Sequence, residues 1–567
     1  MFPFRWDELS SKCSNKSEFY SELSIDKRVK IDDNFFSNLK ASDWESSEFS
    51  ISTHLDYNEY AYFYDFVKDS IYNKNSNNFN QTSYYFKKKD FSNNCSKGEF
   101  KLRVKKQKDE EDYINYELIL DGLSLRVFDT GIAILILEIE NREYKELSDI
   151  LNINDFARRV YPQFLSKDEK GKYWTEKTKE AFLPDKIEIK LPSGETITDN
   201  FECEYENIPK NIQISKYIMK LLGDNFTQNF ESVDNKYLIQ PILDDRMFVL
   251  SWYGNDDFAK SITSKKSLNY KNRKNLKNEN LKDKYSFKYK NSDNWYKYLF
   301  VDNSYPTCQN EELKEKLLIK STYARWLEYN TLYGISRYSF VCVSKNDDFA
   351  KDVLPLPHIK TMYFQMFSLI LAMRASILKF ADEVSELSDI KKHERDLNER
   401  VSNLYRHYIR FRNCIHFREV TPQEQGIELY DLALKIMKID KEVKDLDNEI
   451  SELHSYVSLI EERKNQKTLD KIQIGGAILL LPTLIAGIFG MNTFSNEDLY
   501  KVFNEFKFIN NDFYNSILII ITTPLLIFLI YFFIKKISIN IFIKPITFFK
   551  NKFENIEKYL KNKAKNE

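Results

Sequence analysis

The stretch LPTLIAGIFGMNTF, Leu481–Phe494, is an apolar, glycine-spotted run in a chain otherwise rich in Lys, Asn and Asp. Charge is absent from residue 472 to residue 491, about twenty residues, which is the length a helix needs to cross a hydrocarbon core. A second uncharged run, residues 513–534, stops at Lys535-Lys536. Two runs of this length joined by a polar loop read as a pair of membrane helices rather than two buried core helices. The tail 535–567 carries nine Lys against three Glu, and the loop 493–512 carries four acids against two Lys. The positive-inside bias places the tail and everything before residue 472 in the cytosol. The expected location is therefore the inner or plasma membrane, multi-pass, with both termini cytosolic. Two spans cannot enclose a water-filled path, so a channel built from them must be a homo-oligomer in a lipid bilayer.

The chain has 567 residues, enough for several domains. Charged residues make up 30%, but the net charge is −1, so nothing in the balance points to nucleic acid, and none is expected as a partner. The mean hydropathy of −0.52 hides the contrast between the apolar C-terminal runs and the rest. The opening MFPFRWDELSSKC has no basic segment followed by an apolar one, so no secretory signal is read there. The six cysteines (13, 95, 203, 308, 342 and 414) lie far apart with no C-x-x-C pair, which favours reduced thiols over a disulfide framework or a zinc site.

Upstream of the first apolar run lies the most regular pattern in the chain. Leu429, Leu432, Ile436, Ile439, Val443, Leu446, Ile450, Leu453, Val457 and Ile460 follow a 3-4-3-4 spacing flanked by Lys, Asp and Glu. This is a heptad seam of the coiled-coil kind. No Pro or Gly interrupts residues 427–474, so one helix from Leu429 to Phe489 is expected, about 90 Å long at 1.5 Å per residue. Residues 362–390 and 397–417 read as two further helices packing along this stalk, with Thr421-Pro-Gln-Glu-Gln-Gly426 as the break. The first span itself has two faces. Gln473, Gly476, Leu480, Thr483 and Gly487 recur at helical spacing and are mostly small or polar, whereas Ile474, Ile478, Leu481, Ile485 and Phe489 are bulky. A small or polar stripe either packs helices together or lines a pore, and this one leads to the amide of Asn492. Pro482 removes one backbone bond inside the span.

Thr483, Ile485-Ala486-Gly487-Ile488-Phe489 and Gly490-Met491-Asn492, set between two C-terminal spans behind a long helix, resemble the CorA magnesium channels, the two-span Gly-Met-Asn superfamily. The resemblance implies a homopentameric funnel with an α/β or α+β cytosolic domain, a long helical stalk and two transmembrane helices. It implies that Gly490, Met491 and Asn492 form the selectivity filter, and that Gln473, Gly476, Leu480, Thr483 and Gly487 line the pore. Mg²⁺ dehydrates reluctantly, so a ring of Asn492 carboxamide oxygens would accept hydrogen bonds from its waters, making Asn492 the metal-site residue through hydrated Mg²⁺. Glu497 and Asp498 in the outer loop would concentrate cations. The sequence departs from the family at Pro482, directly before Thr483, and in Thr493–Leu499, which replaces the usual Met-Pro-Glu-Leu.

The resulting division is a cytosolic α/β sensor domain at 1–350, a helical pair at 351–425, the stalk at 426–471, the first span with its filter at 472–492, the outer loop at 493–512, the second span at 513–534 and the basic tail at 535–567. Within the sensor domain, residues 100–105, 113–120, 124–128, 132–140, 247–252 and 338–343 read as strands. The segments 154–161, 212–222 and 311–329 read as helices, and 264–291 as a Lys/Asn-rich solvated insertion. Asp129-Thr130-Gly131 has the tripeptide of an aspartic protease, but a single copy between two strands reads as hairpin turn residues. No P-loop, GxGxxG, HExxH or GxSxG string is present, and no enzyme is expected.

Arg158-Arg159, with Asn154 and Asp155 as expected caps of a short helix, and Asp244-Asp245-Arg246 before a strand are the candidate ligand-binding residues. Paired arginines grip phosphates, although they also make ordinary salt bridges. The enlarged sensor domain, Arg158-Arg159 and Phe417–Gly426 are similar to a CorA-like branch found beside type III CRISPR systems. That resemblance implies opening by an adenylate-type nucleotide second messenger. The ordinary family implies closure by cytosolic Mg²⁺, and a non-conducting membrane anchor is the third reading.

Overall fold

The computed structural model describes residues 1–8, 31, 33–72, 81–92, 96–105, 112–160, 182–201, 214–228, 237–267, 285–303, 305–388 and 397–490. The second span, the outer loop, the basic tail, residues 268–284 and Cys13, Cys95 and Cys203 lie outside them; Cys308, Cys342 and Cys414 are free thiols. The chain divides into two units, Met1–Val457 and Ser458–Glu567. The architecture of the first is mixed α and β.

Among the described residues its larger sheet has ten strands: β1 (Phe2–Glu8), β2 (Trp44–Ser46), β3 (Ser83–Lys88), β4 (Gly98–Lys105), β5 (Tyr113–Phe128), β6 (Ile132–Glu140), β7 (Lys186–Lys190), β8 (Thr196–Asp199), β9 (Phe226–Thr227) and β10 (Tyr237–Pro241). They run in the order β8-β7-β4-β5-β6-β1-β10-β9, with β3 joining β5 to β2. All pairs are antiparallel except β9 with β10. The two segments expected at 113–120 and 124–128 are one strand, β5, with a register shift between Leu120 and Gly122. That irregularity lets the first half of β5 pair with β4 and the second half with β3.

A smaller sheet contains β11 (Val249–Gly254), β14 (Thr322–Tyr323), β15 (Leu332–Ile335) and β16 (Ser339–Ser344), ordered β11-β16-β15-β14, with β11 and β16 parallel. The strands β12 (Lys265–Ser267) and β13 (Tyr285–Phe287) pair with each other, so the ends of the Lys/Asn-rich insertion are ordered by a short ladder. The helix expected over 311–329 stops at Ser321, because Thr322 and Tyr323 pair with Gly334 and Tyr333 instead. Strand pairing overrides helical periodicity there.

Four long helices follow: α1 (Met362–Leu387), α2 (Leu397–Cys414), α3 (Glu424–Met437) and α4 (Ile439–Gly490). The helical stretch Asp348–Leu387 is long and apolar enough to cross a membrane, yet 72% of its most apolar window is buried inside the fold. Its residues Phe367, Ile370, Leu371 and Met373 share one hydrophobic core with Ile134 and Ile136 of the large sheet, Phe340 and Cys342 of the small sheet, and residues of α2, α3 and α4. Phe340 and Phe367 stack with ring centroids 4.1 Å apart. The opposite face of the large sheet forms a separate core with the helices Asp33–Ala41, Leu147–Ala157 and Lys216–Leu222.

The heptad seam is not carried by a single helix. Lys438 takes a left-handed conformation (φ 59°) and donates its N–H to Leu434 and Lys435, capping α3 before α4 begins. The seam residues Ile439, Val443, Leu446, Ile450, Leu453 and Val457 are buried against this chain's own α1 and α2. Tyr408 of α2 reinforces the contact, donating its hydroxyl to the Val443 carbonyl (3.1 Å) and Asp447 (2.6 Å). As far as Val457, the seam serves an intrachain bundle.

Asp129-Thr130-Gly131 forms the turn between β5 and β6, and it docks onto the helices. Asp129 pairs with Arg410 of α2, and the Thr130 and Ser376 hydroxyls lie 2.7 Å apart. Lys379 of α1 donates to the Gly131 carbonyl at 3.3 Å. Lys379 is itself buried beside Asp7 (3.8 Å) and Glu383 (3.9 Å), while Arg5 bridges Asp7 and Asp382. Gly131 has φ +78°, and a Cβ there would collide with the Lys379 Nζ. Gly131→Ala is expected to destabilise the protein by about 2 kcal/mol, through the left-handed backbone and the displaced lysine. Chemical unfolding of the two forms measures this, and Gly131→Ala combined with Lys379→Met should lose less than the sum of the single changes.

Candidate functional site: a channel helix and buried ion clusters

Helix α4 carries the residues on which a channel reading depends. Gln473, Gly476, Leu480, Thr483 and Gly487 all lie in it and are exposed in the single chain; Gly490 is its last residue. Met491, Asn492, Glu497 and Asp498 lie outside the described residues. Spacings of three and four residues align the five stripe positions on one side of the helix. A Cβ placed on Gly475, Gly476 or Gly487 would meet nothing within 4 Å. Among the described residues, no contact requires these glycines. Apolar exposure is extensive: Ile472 is 64% exposed, Leu479 68%, Leu480 65% and Leu484 57%. Pro482 sits inside the helix and lacks the N–H that would reach the Ile478 carbonyl. The Thr483 hydroxyl donates to the Leu479 carbonyl at 2.7 Å, so this polar side chain is satisfied within the helix.

The candidate ligand residues come together, but in the interior. The helix expected at 154–161 instead spans Leu147–Ala157, which puts Asn154 and Asp155 in its last turn rather than at its start. Arg158 and Arg159 are only 4% and 5% exposed. Both donate to Asp155 Oδ1, at 3.1 and 3.2 Å, and Arg158 also reaches the Val301 carbonyl at 2.7 Å. Arg159 bridges to Arg246 through the backbone and lies 3.8 Å from Asp245. Arg246 donates to Asp244 at 2.7 Å and pairs with Asp245 at 3.2 Å. Three arginines thus face three aspartates. Burial pulls the Arg158 guanidinium down to about 10, with Asp155 opposing the shift. The helix end is also stapled to the segment before β11 by backbone bonds, from the Val160 N–H to the Asp245 carbonyl (3.0 Å) and from the Met247 N–H to the Arg158 carbonyl (2.7 Å). A phosphate entering here would have to displace Asp155.

A second polar cluster has almost no signature in the sequence. Arg126 of β5 is paired in register with Tyr85 of β3 and Ile134 of β6, on the sheet face turned toward α1. Its only sequence signal is phase: Ser124, Arg126 and Phe128 alternate with Leu123, Leu125 and Val127, so the arginine occupies an inward position. Glu59 lies nearby in the helix His54–Tyr62 and accepts hydrogen bonds from Gln365 of α1 (2.9 Å) and Tyr72 (3.4 Å). Burial raises the Glu59 carboxyl to about 7. Among the described residues, no group of three His, Cys, Asp or Glu is arranged to hold a metal.

No protein-family model matches the chain, and no curated protein matches it.

Two outcomes follow from the clusters. Asp155→Ala leaves two buried guanidinium groups without their shared partner, and should destabilise the protein by roughly 3–5 kcal/mol in equilibrium unfolding. For Glu59, the folded-state value near 7 lies above that of the unfolded chain. Its favourable contribution is complete below the unfolded value, near pH 4.5, and is lost as pH rises through 7. Glu59→Gln should therefore stabilise the protein relative to wild type by up to about 3 kcal/mol at pH 8, and by little at pH 4.5.

Proposed function

We propose that this protein is a membrane channel for divalent cations, Mg²⁺ first among them, built on the plan of the CorA channels and controlled through its cytosolic domain. The observation that carries the reading is α4: charge-free from residue 472 onward, heavily exposed at Leu479, Leu480 and Leu484, and leading into Gly490-Met491-Asn492. Water is a poor solvent for such a surface, whereas lipid and neighbouring subunits are good ones. Glycines that protect no contact among the described residues suit close approach between subunits, and the Gln473–Thr483 side suits a water-filled path. In this reading five copies surround the pore and Asn492 carboxamides receive the hydrated ion.

Control follows from the bundle. The buried seam of α4 packs on α1, and α1 packs on both sheets, so a ligand that binds two arrangements of the sheets unequally would bias the pore. Cytosolic Mg²⁺ and an adenylate-type nucleotide are the two candidate inputs.

The test is ion flux through full-length protein in liposomes, with Mg²⁺ as the carried ion and either input on the cytosolic side. Asn492→Ala should abolish flux while leaving membrane insertion unchanged. Flux that persists in Asn492→Ala overturns the filter assignment, and absence of flux from wild type under every input favours the non-conducting anchor.

A further inference from the structure

We propose that the seam between the large sheet and α1 binds a small oxyanion, free hydrogen phosphate, on Arg126. This site is separate from the pore and from the Arg158–Arg159 cluster, and its argument does not depend on the channel reading.

Arg126 is 2% exposed. One terminal nitrogen donates to the Ile71 carbonyl, at the end of the helix Asp65–Ile71. The Nε and the other terminal nitrogen have no hydrogen-bond partner among the described residues. No carboxylate among the described residues lies within ion-pair distance of the guanidinium; Glu59 acts on it only at longer range. The Phe128 ring lies 5.9 Å away and offers no acceptor lone pair. A guanidinium in this state is a buried charge with unused donors, which is costly unless an acceptor arrives. The contrast with Arg158 and Arg159, equally buried but sharing Asp155, shows how this chain neutralises arginines elsewhere.

The surroundings define what the acceptor can be. Glu59, Tyr72 and Arg126 are buried, while Tyr85 and Gln365 keep some accessible surface, so the seam suits a small ion rather than a bulky ligand. Gln365 directs its amide nitrogen to Glu59, and its buried Oε1 has no partner. An oxyanion that also carries a proton satisfies both ends, with its oxygens accepting from Arg126 and its hydroxyl donating to Gln365. Hydrogen phosphate has both features, whereas sulfate at neutral pH lacks the donor. Charge-assisted hydrogen bonds to a guanidinium are the strong kind, and a planar guanidinium matches phosphate better than an ammonium does. Because the ion would touch β5 and α1 at once, binding would tie the large sheet to the central helix.

The thermal midpoint of the full chain in detergent, measured in sodium phosphate against sodium sulfate and sodium chloride at matched ionic strength, reads this directly. Wild type should gain a few degrees in phosphate and less in sulfate. Arg126→Gln should fold, since it removes an uncompensated charge, and should lose the phosphate gain. Arg126→Lys should weaken phosphate binding at least about tenfold. Glu59→Gln removes the nearest negative charge and should enlarge the phosphate response at pH 8, which keeps the test decisive if the Arg126 variants fail to fold. An absent phosphate gain in wild type, a gain that survives in Arg126→Gln, or a response unchanged by Glu59→Gln at pH 8 overturns the site.

Discussion

The burial of α1 is the constraint on which the rest of this structure depends. Both sheets and the three later helices contribute to the same hydrophobic core around Phe367, Ile370 and Met373. Removing one large buried side chain from such a core costs roughly 2–5 kcal/mol, because neighbours on several sides lose contacts together. The apolar length that would suit a membrane is here consumed by protein. Composition cannot separate these fates, because hydrocarbon and a protein core reward the same side chains.

Polar groups give the core its registration. The turn Asp129–Gly131 could slide along α1 and α2 if only apolar contacts held it, but Arg410, Ser376 and Lys379 each meet a specific turn atom. The Arg5–Asp7–Lys379 group does the same for β1. Such buried ionic contacts add modest net stability, and their value lies in disfavouring alternative packings. Arg158, Arg159 and Asp155 repeat the device at the end of Leu147–Ala157.

Different parts of the fold were legible to different degrees. The β5–β6 hairpin could be read from strand-length apolar runs around turn residues, and its observed boundary at Ile132–Glu140 follows that pattern. Helices α1 and α2 were legible from their spacing, with ends shifted by only a few residues. The segment 311–329 looks helical throughout because Thr322 and Tyr323 follow a good helix former, and only their partners on β15 make them a strand. For the site residues, Arg158-Arg159 stood out as a pair, but pairing in sequence carries no information about burial. Arg126 stands alone in a strand, and only its inward phase marks it in the sequence.

By itself, the sequence determined the periodicities and the local chemistry: an apolar run ending in Gly490-Met491-Asn492, a heptad seam, a hairpin, and two clusters of arginine and aspartate. These are short-range properties, set by side-chain size, charge and spacing along one backbone. Only the tertiary structure decided what each apolar face meets. It gave the seam from Ile439 to Val457 to α1 and α2 of the same chain, enclosed Arg158 and Arg159 with Asp155, and left Arg126 without an acid among the described residues. The reason is physical: burial and charge compensation are settled by residues hundreds of positions apart, and no local pattern encodes the partner.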